Sequence, residues 1–350
     1  MNKFLKNFLK WFLLFSPLYI FLILACTLKM NAYVYLPGNL TDVKNEVAIE
    51  GYDKKLNGKV SSVYVMDIVK PTYMTYALAS IFTFTSETIV SKRDMQTYDD
   101  DLEYAVGTFD SDISFSNASL AAFDALKDKI DFTYMEVTYI YRANSDIDAN
   151  MKYTSTVGKL IKSYEGSTHD YPTMDEVRDY FLTVNPGEEA KLVLEDKKGV
   201  TFSLNVKKNA ETNVFGITIM KSFKILTAPN VSVKNVFTQG PSGGAMQALY
   251  MYLILNDEDL LMGRNIAGTG TIGYGTTSEN ETTFGLVGAI GCVGQKLYSA
   301  YKDHASVFYC PKSNYTECMS YYAKYGFTED VIRVVSVETL EDIINDLRGN

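Results

Sequence analysis

Between Lys10 and Lys29 the chain carries eighteen residues without a charge, most of them apolar. As a helix that run rises about 27 Å, enough to cross the hydrocarbon core of a bilayer. Beyond it the pattern breaks into short elements. Runs rich in Val and Tyr read as strands at 33–36 and 60–69, the first closed by a turn at Pro37-Gly38. Helical spacing marks 72–84 and 120–130, the latter through Leu120, Phe123 and Leu126. The stretch 98–115 is acidic and poor in periodic apolar positions, which predicts a solvated loop.

From residue 131 to 222 strand signals dominate, at 137–141 and 157–161 and in a hairpin of 190–195 with 200–206. Thr173 with Glu176 three residues on is a capping box that opens a helix to about residue 182. From about 224 the pattern is α/β: helices at 243–255, 293–302, 315–325 and 338–347 alternate with strands at 265–272, 306–309 and 331–337. The expected fold class is therefore α+β multidomain. Residues 1–30 form a cytoplasmic tip and transmembrane anchor, 31–130 an α/β connecting region, 131–222 a β-rich domain and 223–350 a C-terminal α/β domain.

Composition narrows the function classes. The chain has 33 Lys and Arg against 42 Asp and Glu, a net charge of −9, which disfavours a nucleic-acid-binding surface. Two histidines, His169 and His304, argue against a multi-histidine metal site, and four cysteines in 350 residues are too few for a disulfide scaffold. Cys310 and Cys318 are candidates to pair in an oxidising exterior; the alternative is that Cys310 is a buried strand residue. Lys3, Lys6 and Lys10 precede the apolar run, which predicts a cytoplasmic N-terminus and everything after Lys29 outside. An uncleaved signal anchor fits best; a lipoprotein signal ending at Cys26 and a cleaved signal peptide both leave the remainder exported.

The strongest chemical signal is Gly240-Pro241-Ser242-Gly243-Gly244, placed just before a helix. A serine there lies beside free backbone N–H groups, donors that suit the oxyanion of an acyl-transfer intermediate. Alone, Ser242 reads equally as a helix cap. A base is needed, and a lysine can serve in its neutral form, which burial among apolar groups allows by lowering its pKa. Lys296, after Gly291-Cys292-Val293-Gly294-Gln295 and before Leu297, is the candidate; without a partner it would read as a solvated surface lysine. Gly268, Gly270 and Gly273 fit the letters of a dinucleotide fingerprint, but no helix and no suitably spaced acid follow.

Several of these segments resemble known families. "VGKLIKSYEG", "TMDEVRDYF" and "NPGEEAKLVLEDKKGVTFSLNV" resemble a PDZ domain, a module that captures extended peptides at a sheet edge. "GPSGGAMQALYMYL", "IAGTGTI", "GLVGAIGCVGQKLYSA", "VFYCPKSN" and "VVSVETLEDIINDL", in that order, resemble the Lon-type serine protease domain. With the N-terminal anchor, the chain looks like the membrane-anchored, PDZ-containing Lon-like proteases of Gram-positive bacteria. The resemblance implies an extracytoplasmic serine endopeptidase acting on peptides or proteins, with Ser242 as nucleophile and Lys296 as general base. Two features depart from the family pattern: Cys292 stands where a second glycine is common, and the loop 274–284 is expanded and polar. The chain lacks the G-x-x-x-x-G-K-[ST] signature, so no cofactor and no ATP are expected. The competing expectation is a non-catalytic, membrane-anchored scaffold that binds peptides through the PDZ-like segment.

Overall fold

The computed structural model describes residues 3–82, 84–89, 99–144, 152–234, 240–276 and 281–349. Helix α1 (Lys3–Thr27) carries the apolar run. It is the one helix among the described residues long and apolar enough to cross a membrane. Strands β1 (Ala32–Asp42), β2 (Val47–Ile49) and β3 (Lys59–Val69) follow, then α2 (Tyr73–Ala79) and β4 (Ser86–Ile89). Helix α3 (Asp100–Asp124) leads to β5 (Thr133–Ala143), β6 (Leu160–Tyr164), α4 (Met174–Thr183), β7 (Glu189–Glu195), β8 (Thr201–Lys207) and β9 (Ile217–Thr227). The chain continues through β10 (Val231–Val233), α5 (Gly244–Leu255), β11 (Asn265–Gly268), β12 (Thr271–Thr276) and β13 (Thr282–Gly288). It closes with α6 (Val293–Lys302), β14 (Val307–Pro311), α7 (Lys312–Tyr325), β15 (Arg333–Val337) and α8 (Leu340–Arg348).

Two sheets organise the body. The larger has the order β15-β14-β11-β3-β1-β4; β15 through β3 run parallel, while β1 is antiparallel to both β3 and β4. Strand periodicity puts its alternate residues on opposite faces. Ile266, Val307 and Tyr309 join the core of α3, α5 and α8, whereas Ala267, Phe308 and Cys310 join that of α6 and α7. Helices thus cover both faces of the sheet. The second sheet, β8-β7-β6-β5-β9, is antiparallel throughout and packs a separate core with Val177 of α4. Its capping box at Thr173 and Glu176 forms as the sequence predicts.

The structure departs from the sequence expectations in several places. The acidic stretch 98–115 is not a loop: most of it is the first part of α3, a 25-residue helix. Asp99 caps it, and Asp100, Asp101 and Glu103 occupy the first turn, where the helix dipole favours negative charge. Its buried face includes Ser114, Asn117 and Ser119, so it leaves no apolar period. The helix expected at 120–130 is the end of α3, and the one expected at 72–84 spans only α2. Pro37-Gly38 closes no turn; β1 runs through it with a register shift. A Cβ at Gly38 would meet the Tyr64 carbonyl oxygen at 2.3 Å, which explains the glycine. The single strand expected at 265–272 is two, β11 and β12. Residues 31–130 share the large sheet with the C-terminal region, and the boundary expected at 222/223 falls inside β9. The loop 274–284 lies partly outside the described residues. Cys310 and Cys318 are free and buried, neighbours within one core.

Candidate active site

Ser242 sits in the turn that opens α5, held by its main chain from three directions. The Gly240 amide donates to the Gly107 carbonyl of α3 at 3.1 Å. The Ser114 hydroxyl, also of α3, donates to the Pro241 carbonyl at 2.9 Å. The Ser242 carbonyl accepts from the Gly270 amide at 2.9 Å and from the Thr269 hydroxyl at 3.1 Å. Gly244 admits no side chain here: a Cβ would lie 2.4 Å from Ser114 Oγ and 2.7 Å from Ile272 Cγ2. Gly243 is less confined, its nearest neighbour being Ser62 Cβ at 3.7 Å. Among the described residues, the Ser242 and Gly243 amides donate to no acceptor. Both lie at the positive end of the α5 dipole, the arrangement that stabilises a developing oxyanion.

Lys296 comes from the first turn of α6, on the other side of the sheet crossover. Only 3% of it is exposed. Burial lowers its pKa to about 8, because the charged form loses its hydration. Its ammonium has one hydrogen-bond acceptor among the described residues, Thr269 Oγ1 at 3.2 Å. Thr269 therefore joins the two segments: its hydroxyl accepts from Lys296 Nζ and donates to the Ser242 carbonyl. It reaches both because the chain breaks between β11 and β12 at Thr269-Gly270, where Gly270 has φ +153°. Cys292, one turn before Lys296, caps α6 with φ +59°, a conformation that ordinarily favours glycine. Burial raises its thiol pKa, so it is not an activated thiolate.

Ser242 and Lys296 open into one cavity of about 1160 Å³, together with Ser62, Tyr104 and Thr108. Their side chains are not hydrogen-bonded to each other; Lys296 bonds Thr269 instead. One wall of the cavity is β3, whose residues 62–68 all line it. At about 3.3 Å per residue that wall is roughly 20 Å long. Beyond Ser62, no strand among the described residues pairs with β3 on its β11 side. Behind Ser62 lies Glu46, buried, accepting from Ser62 Oγ at 2.9 Å and from Gln247 Nε2 at 3.2 Å. Burial raises the pKa of this carboxyl against those two bonds.

The two candidate site residues thus share one cavity, and the sequence reading missed Thr269, Ser62 and Glu46 around them. Neither histidine lines it: His169 faces Glu176 in an exposed turn at 2.9 Å, and His304 follows α6. The letters of the dinucleotide fingerprint fall across β11 and β12, and the next element among the described residues is a strand, β13, not a helix. No group of metal-ligating side chains occurs among the described residues. No family model matches the sequence, and no curated protein matches it.

Proposed function

We propose that the chain is a membrane-anchored serine endopeptidase of the Lon-like, PDZ-containing kind, acting outside the cytoplasm on peptides or proteins without ATP. The observation that carries the reading is Lys296: a buried lysine with a pKa near 8 in the same cavity as a serine at a helix N-terminus. Neutral Lys296 takes the proton of Ser242 Oγ as that oxygen attacks the scissile carbonyl. The Ser242 and Gly243 amides hold the resulting oxyanion. Lys296 then protonates the leaving amine, and water, deprotonated in turn by Lys296, releases the acyl group. Thr269 orients the lysine. The five-stranded sheet with α4 fits a PDZ-like unit that recruits the substrate chain. The anchor reading is supported by α1 and by the lysines that precede its apolar run.

The test is cleavage of fluorescein-labelled unfolded casein by the detergent-solubilised full chain without ATP, beside Ser242→Ala and Lys296→Ala. Cleavage by the parent and loss in both variants is expected. Cleavage surviving both substitutions overturns the Ser–Lys assignment. Inactivity of the parent on casein and on membrane-tethered substrates alike favours the peptide-binding scaffold.

A further inference from the structure

The chain from Pro71 to Ser86 contains no charged residue, although it lies in the body rather than in the anchor. It forms α2 and the approach to β4. Several of its large apolar side chains face outward: Tyr73, Leu78, Phe82 and, most of all, Ile81 at 71% exposed, joined by Ile89 of β4. A soluble surface rarely gathers so many in one short segment, and such patches mark contacts with a partner or a membrane.

What covers the patch follows from its attachment to α1. The Tyr73 amide donates to the Leu28 carbonyl at 3.2 Å, and the Met30 amide to the Pro71 carbonyl at 2.8 Å. Lys29 and Thr72 form an antiparallel bridge. α2 packs on the C-terminal end of α1, where Ala25 is buried. Leu28 is the last residue of the uncharged run and therefore marks the level at which hydrocarbon gives way to headgroups. α2 begins one hydrogen bond from that level and is about 10 Å long. The interfacial layer is the depth at which aromatic side chains concentrate, and Lys29 and Lys70, which bracket the junction, suit its headgroups.

We propose that α2 and the segment leading to β4 form a second membrane contact, lying in the outer interfacial layer beside α1. This contact rests on the anchor reading, and its occupant is lipid. β3 ends at Val69, two residues before this segment, so the Ile68 end of the cavity wall lies next to the bilayer. The site is then presented to polypeptides that are tethered to the membrane or emerge from it.

The chain has one tryptophan, Trp11, so Trp11→Phe gives a silent background. Ile81→Trp and Leu78→Trp are introduced separately, with Val200→Trp in the exposed turn after β7 as the water-facing control. Each full-length variant is reconstituted into phosphatidylcholine–phosphatidylglycerol vesicles with and without lipids brominated near the top of the acyl chain. Blue-shifted emission and bromine quenching at 78 and 81, absent at 200, are expected. Emission at 78 and 81 matching position 200 overturns the proposal. A blue shift without bromine quenching that rises with protein density overturns it in favour of a second copy of the chain. Release of the chain by alkaline carbonate, or loss of α1 from it, defeats the anchor reading itself and the proposal with it; anchoring with unquenched probes defeats the proposal alone.

Discussion

Replacing Lys296 by methionine should abolish proteolysis and raise the melting temperature. Burial takes the ammonium from an ordinary pKa of 10.5 to about 8, which corresponds to about 3 kcal/mol of destabilisation of the folded, charged form. Methionine fills similar space without the charge, and the lost bond to Thr269 gives back about 1 kcal/mol. The net gain is on the order of 2 kcal/mol, or about 5 °C. The sign depends on pH. Below about pH 8 the lysine is charged in folded and unfolded chains alike, and the penalty is complete. Between about 8 and 10.5 the folded chain has released the proton while the unfolded chain still holds it, so parent stability rises with pH. Above 10.5 the penalty is gone. Thermal melts of the detergent-solubilised full chain, parent and Lys296→Met, at pH 7 and pH 10 read this directly. A variant that melts below the parent at pH 7, or a gap unchanged at pH 10, refutes the reading of Lys296 as a buried, destabilised base.

The rate of casein cleavage should climb about tenfold per pH unit below pH 8 and level off above it, because only the neutral lysine accepts the serine proton; a profile still climbing beyond pH 9 contradicts it. Thr269→Val should lower kcat by roughly 10–100-fold with KM little changed, since it removes the hydroxyl that orients Lys296 and holds the Ser242 carbonyl while leaving the Ser242 side chain in place; parental circular dichroism with parental activity sinks the positioning role. Gly244→Ala should lose activity by displacing the turn against Ser114 and Ile272, whereas Gly243→Ala, with 3.7 Å to its nearest neighbour, should fold and melt like the parent; equal effects from the two would show that the turn is not confined as described.

The surroundings of Ser242 were legible because they are local: glycines, a serine and a helix start lie within five residues. Thr269 was not, because its importance comes from a strand break and two partners, Ser242 and Lys296, each 27 residues away. α3 was missed for a different reason. A helix buried between two units hides small and polar groups as readily as apolar ones, and its acidic start imitates a loop. The large sheet was illegible in its pairing: β3 lies against β11 through Lys59 and Asn265, some two hundred residues apart, and no local pattern encodes that register. Pro37-Gly38 is the converse error, a turn signal used to let β1 approach Tyr64.

α3 also bears on how the two sheet units cooperate under the proposed function. Glu103 grips Arg142 of β5 through two bonds of 2.8 and 2.9 Å, and Asp112 pairs with Lys197 between β7 and β8. Phe109 packs so close to Gly158 that a Cβ there would lie 2.7 Å from its ring. Gly107 stands among these contacts with the five-stranded unit and Ser114, about two turns further on, just beyond them; these two residues hold the Gly240-Pro241 backbone. From Glu103 to Ser114 the helix rises about 16 Å. A flexible tether would present a recruited peptide to Ser242 at an effective concentration set by its length. A buried helix instead fixes the span. Substrates gripped by both units are then selected by the number of residues between grip and scissile bond, and lengthening that spacer by a few residues should shift the cleavage position rather than only slow it.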